Sequence, residues 1–209
     1  MPSRIAVLAS GTGSNAQALI DASQRGDLAG AEVVVVVSDK LGSGALERAR
    51  SAGVEALFAD RKAFADRDQY GRHLVEELQN RRVDLVCLAG FMLILPPVFI
   101  KAFENQILNI HPALLPAFPG VHAVRDALEW GVKVTGTTVH FADEQMDNGP
   151  IVMQRAIEVL PDDDEASLHA RIKEIEHSLY SEAVSALASG RLVIKGRKVS
   201  IVPAQGLVS

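Results

Sequence analysis

Through the first half of the chain, short β-branched runs alternate with longer stretches whose apolar residues recur every three or four positions. This is the pattern of βαβ units around a parallel sheet. Ile5–Ala9, Glu32–Val37, Val54–Leu57, Leu85–Ala89 and Ile107–Ile110 read as strands. Five consecutive valines in the second suit a strand buried on both faces. Between the strands, three apolar stripes predict helices: Ala16, Leu19 and Ile20; Ala45, Leu46 and Ala49; and Tyr70, Leu74, Val75 and Leu78, with Asp66 placed to cap the third. After Pro112 the rhythm changes, and Pro112, Pro116, Pro119 and Gly120 mark a rigid, irregular loop of the kind that carries function. Thr137–Phe141 and Ile151–Val159 predict two further strands. Leu168, Ile172, Ile175, Leu179, Ala183 and Leu187 then form one face of a helix from about Glu165 to Ala188. It begins at the acids 162–165, which the positive end of a helix dipole favours. The tail from Arg191 to Val202 predicts a hairpin about Gly196.

Composition narrows the class. The 209 residues are 48% hydrophobic, with 21 Lys+Arg against 26 Asp+Glu and a formal net charge of -5. That is enough apolar material for one globular domain, or two small lobes sharing a core, and neither repeats nor low-complexity segments occur. The most apolar stretch, 85–100, is broken by Gly90 and Pro96-Pro97 and falls short of the ~20 residues that span a bilayer, so no membrane segment is expected. The apolar run at Ile5 is shorter than a signal-peptide core and meets a glycine turn. The acidic balance argues against a nucleic-acid partner and for small-molecule chemistry. Cys87, the single cysteine, lies inside an apolar run and reads as a reduced core residue of a cytoplasmic protein. The six histidines show no metal-ligand spacing, and no metal is expected.

Two segments carry chemistry. Ser10-Gly11-Thr12-Gly13-Ser14-Asn15-Ala16 follows a buried strand and opens a helix, so its free backbone N–H groups suit a phosphate. The same residues satisfy a G-x-G-x-x-G/A pattern and admit a dinucleotide. Asp39, the acid closing the second strand, lies 28 positions after Gly11, beyond the ~20 of that fingerprint. A tight βα turn with no ligand also accounts for the glycines. In Asn109-Ile110-His111-Pro112 the period of two puts Asn109 and His111 on one face at the carboxyl edge of the sheet. An amide beside an imidazole suits stabilisation of an oxyanion with proton transfer. Asp147-Asn148-Gly149-Pro150 is a turn able to bring a carboxylate to the same place, where it would raise the pKa of His111 and keep it protonated near neutral pH. His140, in an alternating strand, is a further candidate for this pocket, or a strand histidine with a local hydrogen bond.

These blocks, together with Ala89-Gly90-Phe91-Met92 and Leu108 to Pro116 with Pro119-Gly120, resemble the folate-dependent formyltransferases over essentially the whole chain, most closely the branch that formylates glycinamide ribonucleotide. The resemblance implies an α/β, Rossmann-like fold: a mostly parallel central sheet flanked by helices, with a C-terminal strand, long-helix and hairpin extension. It further implies a single formyltransferase domain, with a nucleotide-binding half at 1–111 and a folate-loop half at 112–209. Its tRNA-acting relatives add a basic C-terminal domain and its deformylase relatives an N-terminal regulatory one, and 209 residues are expected to leave space for neither.

By the same resemblance, 10-formyltetrahydrofolate donates its formyl group to the amine of glycinamide ribonucleotide, with Asn109, His111 and Asp147 catalytic. Gly13, Ser14, Asn15, Lys173 and Glu176 match ribonucleotide-binding positions. Arg67, Met92, Leu93, Ile94, Leu95, Asn109, Ala142, Asp143 and Asp147 match folate-binding ones. Without the resemblance, Lys173 and Glu176 read equally as a charge pair on a solvated helix face. Leu93 stands where many relatives carry Arg, so a cationic contact to the folate tail is expected to be missing. The expected partners are these two small molecules, for a monomer or homodimer. Three other readings stay open: hydrolysis of the formyl folate, an NAD-dependent oxidoreductase, and a non-enzymatic phosphometabolite-binding module.

Overall fold

The computed structural model describes residues 2–203. Among them nine strands form one sheet in the order β3-β2-β1-β4-β5-β6-β7-β9-β8. β1 (Arg4–Leu8), β2 (Glu32–Ser38), β3 (Glu55–Phe58), β4 (Leu85–Leu88) and β5 (Ile107–His111) are parallel. β6 (Val134–Phe141) runs antiparallel to β5 and to β7 (Ile151–Glu158). The hairpin of β8 (Leu192–Lys195) and β9 (Lys198–Ile201) joins through a single parallel pairing, Ile151 with Lys198. The α/β class with a mostly parallel sheet is therefore as the alternating pattern implies.

Alternation of side chains along β1 divides the core. Ile5 and Val7 point to one face, where α1 (Ser14–Arg25) and α6 (Glu165–Ala188) supply Leu19, Ile20, Leu179 and Tyr180. Ala6 and Leu8 point to the other, against Tyr70, Leu74 and Leu78 of α3 (Arg67–Asn80) and Phe99 of α4 (Pro97–Ala102). Asp66 caps α3 as expected, its side chain accepting from the Gln69 N–H. Asp164 caps α6 through a reciprocal box with Ser167.

Three elements depart from the sequence reading. α4 begins at the proline pair that reads as a break, because Pro97 occupies a first-turn position where its missing N–H costs nothing. α5 (Ala123–Trp130) starts after His122 with no side-chain cap, so no terminal signal marks it. β6 begins at Val134 rather than Thr137, since Val134, Thr135 and Gly136 already pair with β7. The long helix matches its expected limits but not its expected single face. Glu176, Tyr180 and Val184 are buried with Leu168, Ile172, Leu179 and Ala183, while Ile175 and Leu187 are only partly covered. α6 is packed by α1 on one side and by α5, β6 and β7 on others, so more than one stripe must be apolar or hydrogen-bonded.

Candidate active site

Between β1 and β4, where strand order reverses, a cavity of about 350 Å³ opens at the carboxyl ends of the strands, the usual ligand position of such sheets. Its inner end is the glycine turn. Ser10 ties three strand ends together: its hydroxyl donates to Asp39 Oδ1 at 2.6 Å and accepts the Met92 N–H at 3.0 Å, and its own N–H donates to the Gly90 carbonyl. Gly13 has φ +76°, and a Cβ there would lie 2.5 Å from Ala45 Cα. α2 (Gly44–Ser51) packs directly against the turn and takes its carbonyls: the Ala45 N–H donates to Gly11 O at 3.2 Å and Arg48 Nε to Thr12 O at 2.9 Å. With those carbonyls drawn to α2, the first-turn N–H groups of α1, which have no acceptor within the helix, form the anion-attracting edge of the cavity. Asp39 is engaged by Ser10, lies 3.5 Å from Lys40 and does not line the cavity, so it is not free to hold a ribose in the way the dinucleotide reading requires.

Asn15 and α6 close the next section of wall. Asn15 Nδ2 donates to Glu176 Oε2 at 2.8 Å, and Thr137 Oγ1, which donates to the His111 carbonyl at 3.0 Å, lies 3.5 Å from Glu176 Oε1. Glu176 is 3% exposed, which excludes the solvated charge pair. Burial pushes its carboxyl above the usual range, against the hydrogen bond from Asn15 and the charge of Lys173. Asn15 Oδ1 is buried and has no donor among the described residues. Lys173 and His169 line the same wall.

A cluster of an amide, two imidazoles and a carboxylate sits across from it. Asn109 Nδ2 is 3.0 Å from His140 Nε2 and donates to Asp147 Oδ1 at 3.4 Å. His140 Nδ1 lies 2.8 Å from the Phe141 carbonyl and donates there, while its Nε2 faces both the Asn109 amide and, at 3.7 Å, Asp147 Oδ1. His111 Nε2 is 2.8 Å from the Phe118 carbonyl, and Nδ1 is 3.4 Å from Asp147 Oδ2. The other support of Asp147 is the Gly120 N–H, donated to Oδ2 at 2.7 Å. The proline-marked loop thus holds both members of the pair, through Phe118 and Gly120.

The expectation that Asp147 keeps His111 protonated is corrected. Burial is the largest influence on the ring and holds its pKa below the ordinary imidazole value, although Asp147 and the Phe118 carbonyl pull the other way. Burial also works to raise Asp147. There His140, His111 and the Gly120 N–H together outweigh it, and the carboxyl stays below its ordinary value. Asp147 is an anion and His111 a buried ring with a weakened hold on its second proton.

Of the residues expected from sequence, Gly13, Ser14, Asn15, Met92, Leu93, Ile94, Leu95, Asn109, His111, His140, Ala142, Asp143, Asp147, Lys173 and Glu176 all line this one cavity. Arg67 does not; it is exposed on the first turn of α3. The sequence marks the segment from Ala142 to Asp147 as a folate loop, and its Gln145 and Met146 do line the cavity; it does not single out Thr137, Phe118 or Val121, whose side-chain or carbonyl contacts no spacing reveals. Val121 and Met146 are exposed apolar residues, and with Met92 and Ile94 they form an apolar mouth.

A family model described as formyl transferase matches residues 3–184. The chain is 46% identical over 206 residues to a phosphoribosylglycinamide formyltransferase of Mycobacterium tuberculosis, covering 96% of this chain and 94% of that one. It is 48% identical over 193 residues to the trifunctional purine biosynthetic protein adenosine-3 of Drosophila melanogaster, covering 91% of this chain but spanning only 14% of that protein's length. A crystal structure of glycinamide ribonucleotide transformylase 1 from Symbiobacterium toebii superposes with a TM-score of 0.95 at 50% identity, covering 97% of this chain and 95% of that chain. With a family-model match over residues 3–184 and close relatives covered over nearly their whole length, the chain belongs to the formyl transferase family.

Proposed function

We propose that the chain transfers the formyl group of 10-formyltetrahydrofolate to the primary amine of glycinamide ribonucleotide, giving formylglycinamide ribonucleotide and tetrahydrofolate. The observation that carries this reading is a single cavity in which an anion-attracting helix start, a buried amide–imidazole–carboxylate cluster and an apolar mouth follow one another. A phosphate suits the N–H groups at Ser14 and Asn15 with Lys173 beside them, and ribose hydroxyls suit Glu176. The folate ring suits the apolar lining from Met92 to Leu95 and the segment from Ala142 to Asp147. Leu93 provides no cation for the folate tail.

In the reaction the neutral amine attacks the formyl carbon, forming a carbon–nitrogen bond and leaving an oxyanion and a positively charged nitrogen. Asn109 supplies an N–H to the oxyanion by giving up its long bond to Asp147. The proton that the attacking nitrogen loses is taken up by the His111–Asp147 pair, whose Nδ1 and Oδ2 lie 3.4 Å apart. The resulting imidazolium is stabilised by Asp147 and by the oxyanion. The same proton passes, directly or through water, to the departing folate nitrogen as the original carbon–nitrogen bond breaks. No covalent enzyme intermediate is involved.

Single-turnover formyl transfer by wild type, His111→Ala and Asp147→Asn, each with and without the ribonucleotide, tests the proposal. Transfer that requires the amine and falls by about 10²-fold or more in both variants is expected. Equally fast loss of the formyl group without the amine would make the protein a hydrolase, and no change in the folate would overturn the reading altogether.

A further inference from the structure

Asp147 lies in the β6–β7 connection, residues 142–150, with φ +53°, a left-handed conformation uncommon for a residue with a side chain. Much of this turn is tied to itself: Asn148 Nδ2 donates to Asp143 Oδ2 at 2.9 Å and the Gln145 N–H to Asp143 Oδ1 at 2.9 Å. Gly149 is pressed so closely on Phe141 that a Cβ there would meet its carbonyl oxygen at 1.8 Å. These internal bonds shape the turn but do not fix where it sits relative to His111. That needs contacts from outside it. One is the Gly120 N–H on the Asp147 carboxylate. Another comes from the far end of the chain. Arg197, at the tip between β8 and β9, donates from Nη2 to the carbonyl of Asn148 at 2.6 Å, the residue directly after Asp147. The register requires this approach, because Lys198 pairs with Ile151, bringing the hairpin tip alongside the residues that lead into β7.

We propose that Arg197 is a positioning residue, which acts through the Asn148 carbonyl to hold the Asp147 carboxylate against His111. Asp147 already carries the less favoured backbone conformation, and its distance of 3.4 Å from His111 leaves little margin before the pair separates. The guanidinium bond holds the Asn148–Gly149 peptide, one residue beyond Asp147, and so ties the end of the turn that carries Asp147 to the β8–β9 hairpin. The role deepens the assignment of Asp147 above, and its primary readout does not depend on formyl transfer.

The test is NMR titration of the His111 ring in the wild-type protein, Arg197→Ala, Arg197→Lys and Asp147→Asn, with kcat and KM measured on the same samples. The charged or titratable groups acting on His111 are Asp147 and His140. Removing a cation from the surface without moving Asp147 can only leave the His111 midpoint unchanged or raise it. Loosening Asp147 lowers it, because the imidazolium loses its anion. Arg197→Ala is expected to lower the midpoint in the direction of Asp147→Asn but by less, with Arg197→Lys restoring most of the change. A fall in kcat of about threefold to tenfold, with KM for the ribonucleotide unchanged, should accompany it. An unchanged or raised midpoint in Arg197→Ala, while Asp147→Asn lowers it, overturns the role of Arg197 alone. If Asp147→Asn leaves the midpoint unmoved, the pairing of Asp147 with His111 fails and Arg197 loses its role with it.

Discussion

Glu176 is a carboxyl whose surroundings work against its charge, buried by α6 and the sheet and relieved only by Asn15, Lys173 and Thr137. Its folded pKa is raised above the unfolded value of about 4.3. Between those two values the folded protein holds a proton that the unfolded chain has released. Stability therefore falls as pH rises through that window, and the cost stays in force above it. Glu176→Gln keeps the shape and removes the charge, and it is expected to gain about 1 kcal/mol at pH 7 to 8, or about 2–4 °C in Tm for a chain of this size. The gain should vanish near pH 4, and ribonucleotide affinity should drop tenfold or more by calorimetry. A variant less stable than wild type across the whole range would show that the charge is not opposed. Asn109, His111 and Asp147 were legible from their blocks in the sequence, and Glu176 only through the family resemblance, but the protonation of none of them was. Whether Asp147 or burial controls His111 depends on how completely Phe118 and its loop close over the ring, and spacing carries no measure of that closure.

At the scale of elements, the anion edge depends on α2 as much as on the turn itself. Gly13 combines a positive φ with direct contact on Ala45, while Gly11 has open space around its Cβ position. Gly13→Ala would incur the left-handed penalty of about 1–2 kcal/mol and an overpacking cost of about 1–3 kcal/mol as α2 is displaced. With α2 displaced, the Gly11 and Thr12 carbonyls lose their donors and compete for the cavity. The variant is expected to lose stability in urea and at least tenfold in affinity for the ribonucleotide, with Gly11→Ala close to wild type in both. Equal behaviour of the two would mean that the packing against α2 does not shape the site. Strands were legible because the side chains on both faces of β1 and β2 meet a layer of the core, so each reads as a short continuous apolar run. α4 and α5 were not, because a proline pair opens the first and nothing caps the second.

For the whole molecule, α6 is the member that brings the separate parts of the site to one place. Asn15 and Glu176, bonded across the cavity, are 161 positions apart, and no local pattern marks such a pairing. The family resemblance carried those positions; periodicity alone gave a helix with one apolar stripe. Tyr180 shows why that stripe was an incomplete description. It is 1% exposed, and its hydroxyl lies 3.0 Å from the Leu88 carbonyl and 2.9 Å from that of Leu108. Those residues belong to β4 and β5, immediately before Ala89-Gly90 and Asn109, so one phenol links α6 to both strands that deliver the reactive cluster. Tyr180→Phe keeps the ring and its packing but leaves two buried carbonyls without their donor, a loss of about 1–3 kcal/mol. The urea midpoint should fall while the slope of the transition stays constant, because the surface exposed on unfolding is unchanged. If the hydroxyl also sets the spacing of β4 and β5, kcat falls further than the loss of folded protein accounts for, even where the variant is fully folded. An unchanged midpoint would assign the whole contribution of Tyr180 to its ring, and leave the alignment of Asn109 and His111 to the ladders of β5 with β4 and β6.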